Sequence, residues 1–119
     1  DLPRVKLYKA GHHGSATSST NELLEVIQPQ YVAGCCCAGD KYNFPTQPFC
    51  DRISPYTDKV YVTVRVDGDG YAPMNGDIVF YYGKSENETE KSLKLWCSEN
   101  STVLKDTEWF KQNRTWNGA

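Results

Sequence analysis

No run of apolar residues approaches the roughly 18–20 that a membrane-spanning helix needs. No basic segment leads into an apolar one at the start, so no secretory signal is read there. Positive charge is not in excess: 13 Lys and Arg stand against 15 Asp and Glu, a formal net charge of −2. Nucleic acid is therefore denied the general electrostatic footprint that phosphate binding draws on, although a local basic patch remains compatible with the count. There is no C-x-x-C pair, which removes zinc-ribbon and thioredoxin-type motifs. There is no G-x-S-x-G, so Ser15 is not a nucleophile elbow and no Ser/His/Asp triad is assembled. Internal repeats and low-complexity tracts are also missing.

What remains is 119 residues of ordinary globular composition, 39% hydrophobic and 13% aromatic. That is one domain, residues 1–119, with enough chain for a core and too many aromatics for a solvated tail. The opening Asp1-Leu2-Pro3 reads as a cut or processed end. Five cysteines are present, three of them consecutive at Cys35, Cys36 and Cys37. Neighbours in an extended chain face opposite ways and bridge each other poorly. The expectation is reduced, mostly buried thiols acting as small hydrophobes, which favours a reducing, cytoplasmic compartment. The alternative is an extracytoplasmic domain with some cysteines paired, which three N-x-[ST] triplets at Asn87, Asn100 and Asn113 would fit.

Hydrophobic spacing orders the elements. Val5 to Lys9 alternates as a strand. Ser19 with Glu22 forms a capping box that opens a short helix with Leu23, Leu24 and Ile27 on one face, stopped by Pro29. Tyr31 to Cys37 is a continuous apolar run, the pattern of a strand buried on both faces. Thr46 caps a second helix with Phe49, Cys50 and Ile53 inward. Val60 to Val66 is a half-buried strand broken by Asp67-Gly68-Asp69-Gly70, and Asn75-Gly76 turns into a strand from Asp77 to Tyr82. Leu93, Leu95 and Cys97 form another, and Asp106 to Arg114 a last helix. The order β-α-β-α-β-β-β-α predicts a layered α/β fold with a mixed sheet.

The chemistry concentrates in Gly11-His12-His13-Gly14-Ser15, which holds both histidines of the chain just past a strand end, where α/β folds bind ligands. Imidazole ligates zinc-like metals and transfers protons near neutral pH. At a turn, one ring can take a metal while the other faces substrate. Taken alone, the dipeptide is equally a surface pair in a polar loop.

Lys6-Leu7-Tyr8-Lys9-Ala10-Gly11-His12-His13-Gly14-Ser15, followed by Thr17-Ser18-Ser19, a helix, Pro29 and a buried strand, resembles the C-terminal half of metallo-β-lactamase-fold hydrolases. The most similar branch is the one that includes the hydrolase domain of the DNA-internalisation competence proteins, and the phosphorylcholine esterases are a related branch. The likeness continues through Asp40-Lys41-Tyr42-Asn43-Phe44-Pro45 to Asn75-Gly76-Asp77-Ile78-Val79-Phe80, roughly residues 4–83. It implies half of an αββα sandwich, with a site for two divalent ions, zinc in the first place, along one edge. It assigns His12 as the last metal ligand and His13 as the catalytic group, either facing substrate or supporting the ligand from behind. Ser15 hydrogen-bonds the phosphate or a ligand, and Tyr42 and Asn43 stand on the substrate side. Phe44 occupies a place where the branch often has histidine.

The family's other ligands, an H-x-H-x-D-H loop, a further His and a bridging Asp, are not in this chain. A complete structural zinc site is worth roughly 10–16 kcal/mol from about four ligands, so one or two imidazoles hold metal weakly. A dinuclear mechanism also needs two ions about 3.5–4 Å apart. The expected function is the C-terminal portion of a metal-dependent phosphoester or phosphodiester hydrolase, inactive by itself. Its partner is the missing N-terminal half or a second copy. The alternative is a noncatalytic binding module that retains only the scaffold.

Weaker signals favour structure. Asp67-Gly68-Asp69-Gly70 is read as a hairpin turn, because Tyr71 and Ala72 occupy the positions an EF-hand gives to an Asp or Asn and a Gly. Trp96, Trp109, Trp116, Tyr81 and Tyr82 are read as core and helix-packing residues. Lys84 to Lys94 is read as a solvent-facing hairpin.

Overall fold

In the computed structural model, which describes residues 5–118 apart from the side chain of His12, a four-stranded mixed sheet carries the chain's first half. Strands β1 (Leu7–Lys9), β2 (Tyr31–Ala38) and β3 (Val60–Asp67) run parallel, and β4 (Gly70–Pro73) returns antiparallel along β3, giving the order β1-β2-β3-β4. A second, two-stranded antiparallel sheet is built from β5 (Ile78–Gly83) and β6 (Ser92–Cys97). Helices α1 (Asn21–Ile27) and α2 (Gln47–Ile53) are the parallel crossovers, and α3 (Glu108–Asn113) closes the chain. The fold is mixed α/β as expected, with one strand more than the spacing predicts. No helix among the described residues is long and apolar enough to cross a membrane.

The missed strand is β4. Gly70-Tyr71-Ala72-Pro73 has no apolar alternation and ends in proline, so nothing local marks it. It forms by pairing Val64–Asp67 across the Gly68-Asp69 turn, and at a sheet edge a proline removes no needed donor. The hairpin reading of Asp67–Gly70 holds.

The core lies between one face of the large sheet, carrying Val32, Val60 and Val62, and the three helices, which contribute Leu24, Phe49, Cys50, Ile53 and Phe110. A fully buried side chain such as Phe49 contributes about 1.5–3 kcal/mol of transfer free energy. In α1 only Leu24 is buried. Ile27 packs at the margin, and Leu23, expected inward, is 41% exposed. The cap of α1 also shifts by one residue. Thr20, not Ser19, accepts the Leu23 N–H, at 3.3 Å. Ser19 instead has φ 55° and turns its buried hydroxyl to the Tyr8 hydroxyl at 2.8 Å. Thr46 caps α2 as expected.

Strand β2 is not buried on both faces. Its sheet face opposite the helices holds Tyr31, whose ring meets Phe80 of β5 edge-on at 5.7 Å, and the exposed Cys35. The second sheet is a thin ribbon. Val79, Tyr81 and Trp96 share its outer face at 43%, 53% and 54% exposure, so the core role expected of Tyr81 and Trp96 is corrected; Tyr82 is exposed as well. A two-stranded ribbon has one inner face, and the other has nothing to pack on. Its Ser85–Lys91 tip is solvent-facing, with Glu88 against Lys94 at 2.6 Å. Asn75, wholly buried, ties β3 to the loop that follows β6. Its Nδ2 donates to the Val62 and Thr102 carbonyls at 3.0 Å, and its Oδ1 accepts the Thr102 N–H at 2.6 Å.

Candidate functional site

The histidine block forms a single 3₁₀ turn, Gly11–Gly14, immediately after β1. Two residues of positive φ in succession, His13 at 57° and Gly14 at 83°, swing the chain sharply there. A Cβ on Gly14 would lie 2.9 Å from Cβ of Pro45, so only glycine lets this turn rest against the loop before α2. The Gly14 carbonyl accepts the Thr46 N–H at 3.0 Å.

This packing places His13 over the C-terminal end of β2. Its Nδ1 donates to the Cys35 carbonyl oxygen. A carbonyl only accepts, so the neutral ring carries its proton on Nδ1 and keeps the Nε2 lone pair free. Phe44 stacks on the imidazole, centroids 6.1 Å apart and planes at 29°, and Tyr42 stacks on Phe44 at 5.6 Å and 17°. The Lys41 ammonium lies over Tyr42, 5.0 Å from the ring centre. His13, Cys35, Cys36, Cys37, Asp40, Tyr42 and Phe44 enclose a cleft of about 500 Å³ at the C-terminal ends of β1 and β2.

Of the residues singled out from sequence, the structure brings His13 and Tyr42 together in this cleft. Ser15 does not line it; its carbonyl accepts from Ser18 Oγ at 3.2 Å. Asn43 is exposed with φ 58°, and it too stays off the cleft wall. The side chain of His12, the assigned metal ligand, lies outside the described residues. Phe44, flagged only as a departure from the family pattern, is the centre of the aromatic stack.

The cysteines are free thiols, but only Cys50 and Cys97 are buried; Cys36 and Cys37 are half-buried and Cys35 is exposed, so "mostly buried" does not hold. Burial and the nearby Asp40 carboxylate push Cys36 up to about 12 and raise Cys37 also. Burial pushes Cys50 up to about 12, against the lowering effect of Arg114. These thiols stay protonated near neutral pH and are poor nucleophiles.

Two arginines that sequence reasoning passed over fix the loops around the cleft. Arg52 of α2 donates to the carbonyls of Ala16, Ser18 and Ser19 at 2.8, 2.6 and 2.9 Å, tying down the segment after the histidines. Arg114 donates to the carbonyls of Pro45 at 3.1 Å and Asn43 at 2.9 Å, and lies over Trp109. The guanidinium's five rigid donors suit this work. A second open cleft of about 680 Å³ lies between β3, β4 and α3, lined by Arg65, Asn100, Asp106, Glu108, Trp109 and Gln112 among others; no motif announces it.

His13 Nε2 fits the part of one metal ligand or of a proton carrier. Among the described residues, no group of three or more His, Cys, Asp and Glu is assembled to hold a metal ion. No protein-family model, curated protein or solved structure matches the chain.

Proposed function

We propose that the chain forms the C-terminal part of a metal-dependent hydrolase of the metallo-β-lactamase type, acting on phosphoesters or phosphodiesters, with His13 as its contribution to the reacting centre. The observation that supports this reading is the hydrogen bond from His13 Nδ1 to the Cys35 carbonyl in an open cleft at the ends of parallel strands. Such a bond orients a histidine and leaves its second nitrogen basic, the arrangement that metal-ligating and proton-transferring imidazoles share. Divalent ions, when held, would activate a water and neutralise charge on the phosphoryl group. The chain's own residues do the rest. His13 ligates or moves a proton at Nε2. The Phe44–Tyr42 stack walls one side of the cleft, with Phe44 against the exposed imidazole. Arg52 and Arg114 hold the two loops in register.

The chain contains no H-x-H-x-D-H segment, so the remaining ligands come from other polypeptide. The test is hydrolysis of bis(p-nitrophenyl) phosphate with zinc or manganese, by the chain alone and by the chain combined with a polypeptide that supplies that segment. The expected result is no turnover alone, turnover on combination, and its loss in His13→Ala. Robust metal-dependent cleavage by the chain alone, or a combined activity indifferent to His13→Ala, overturns the proposal.

A second reading, a noncatalytic interaction module, is favoured by the exposed Val79, Tyr81 and Trp96 on one ribbon face, since contiguous exposed apolar surface marks contact sites. Cross-linking through Trp96 in a combination that remains inactive would favour it.

A further inference from the structure

We propose that residues 114–118, the segment that follows α3, act as a releasable strap over the histidine cleft, with Arg114 as the positioning residue that presses the Phe44–Tyr42 wall against His13. This goes beyond the hydrolase reading, because it holds for whatever chemistry the cleft serves.

Arg114 brackets Phe44. Its Nη2 donates to the carbonyl of Asn43, just before that residue, at 2.9 Å, and its Nε to the carbonyl of Pro45, just after it, at 3.1 Å. Two donors fixed in one plane set the orientation of the backbone between them as well as its place. The guanidinium rests over the Trp109 ring, 5.0 Å from its centre. Trp109 in turn lies so near Gly39 that a Cβ there would meet its Nε1 at 2.6 Å, and the Gly39 N–H donates to the Phe44 carbonyl at 3.0 Å. Both ends of the loop that carries the wall therefore lean on Arg114 and Trp109. Asn43 has φ 58°, a conformation that a residue with a Cβ keeps only where its surroundings enforce it. Without the bracket the loop relaxes, and Phe44 leaves the imidazole with it.

The strap itself is lightly held. Gln47 of α2 grips Thr115 through both ends of its amide: Nε2 donates to the carbonyl at 2.7 Å and Oε1 accepts the N–H at 2.9 Å. Asn117 Nδ2 donates to Asp51 Oδ1 at 2.8 Å. All three bonds are exposed, the condition under which a segment opens locally. Trp116 packs edge-on against Phe110, centroids 6.0 Å apart, but its Nε1 is buried with no hydrogen-bond partner among the described residues, which weakens the packing. The core keeps Leu24, Val32 and Ile53 fully buried, so the strap and the wall open more readily than the sheet.

The test is NMR of the full chain. Arg114→Gln should strip the His13 ring protons of the ring-current displacement that Phe44 imposes, as Phe44→Leu does, and the double variant should add nothing to Phe44→Leu. Arg114→Lys, which keeps the charge but not the fork, should show the same loss. Relative to the Val32 amide, the Gly39 amide should exchange with solvent at least about tenfold faster in Arg114→Gln, through the loss of hydrogen bonds from a charged group. A purely structural Arg114 would lower the unfolding midpoint and leave the His13 shifts in place. If Arg114→Gln does not fold, hydrogen exchange in the wild-type chain carries the test: the Thr115 and Gly39 amides should open together, ahead of Val32. The proposal is overturned by unchanged His13 shifts in a folded variant, by additive shifts in the double variant, by full retention with lysine, by no acceleration at Gly39, or by Thr115 exchange that leaves Gly39 as protected as Val32.

Discussion

His13 and Cys35 are joined by a hydrogen bond across 22 positions of sequence, from the ring Nδ1 to the backbone carbonyl. The bond ties the histidine turn to the end of β2 and decides which nitrogen is free. Nitrogen-15 NMR of the imidazole at a pH where it is neutral should show the Nδ1–H tautomer dominating. A dominant Nε2–H tautomer would break the link between this geometry and the proposed role.

Gly14 and Gly68 make a matched pair, since both have positive φ but only one is crowded. Alanine at Gly14 meets the left-handed backbone penalty and a proline Cβ at 2.9 Å, whereas at Gly68 nothing lies within 4 Å. Gly14→Ala should destabilise by about 3 kcal/mol and Gly68→Ala by about 1–2 kcal/mol in urea unfolding. Equal costs would mean that the Gly14–Pro45 approach is not what demands glycine.

Asn75 satisfies three backbone groups between β3 and the loop that follows β6. Asn75→Ala strands the Thr102 N–H and two carbonyls, and should cost about 2–4 kcal/mol. Asn75→Asp should cost more at neutral pH, because it sets a carboxylate oxygen against those carbonyls. The comparison is made by denaturant midpoints.

Stability should fall on the alkaline side. Cys36 and Cys50 hold their protons to about 12 when folded but lose them nearer 9 when unfolded. Between those values the native state binds more protons, so the stability contribution is whole below pH 9 and drains away toward pH 12. Each thiol adds a slope of about 1.4 kcal/mol per pH unit. Cys50→Ala should flatten the alkaline limb by about one proton in a pH series of unfolding curves. Glu88 acts at the other end: Lys94 and the Ser85 N–H hold it down to about 2, so its small contribution is present above the ordinary carboxylate range and fades as pH falls toward 2.

Much of the scaffold was legible because it is written locally. Period-two valines mark β3, Thr46 caps α2, and helical spacing marks α3. The order failed at β4, where Gly70–Pro73 becomes a strand only by pairing with its neighbour. The Ser19 capping box failed because tertiary packing gave that hydroxyl to Tyr8. In the site, the histidine block was readable as chemistry, since few residue types do what imidazole does. The stack of His13, Phe44 and Tyr42 was not, because it depends on two loops meeting. The carbonyls that Arg52 and Arg114 grip leave no sequence trace, and the register shift of β2 between Gly34 and Cys37 is visible only in its pairing with β3.

Arg114 reaches back 71 positions to hold Asn43. The anchor of the cleft's front wall is thus made later in synthesis than the histidine turn and the cysteine strand, which precede it in the chain. A nascent chain that has completed α2 already displays its thiols and imidazole without the clasp that seats Phe44 and Tyr42. Any ion or protein meeting the chain during synthesis encounters an open trough, and the walled cleft belongs only to the finished molecule.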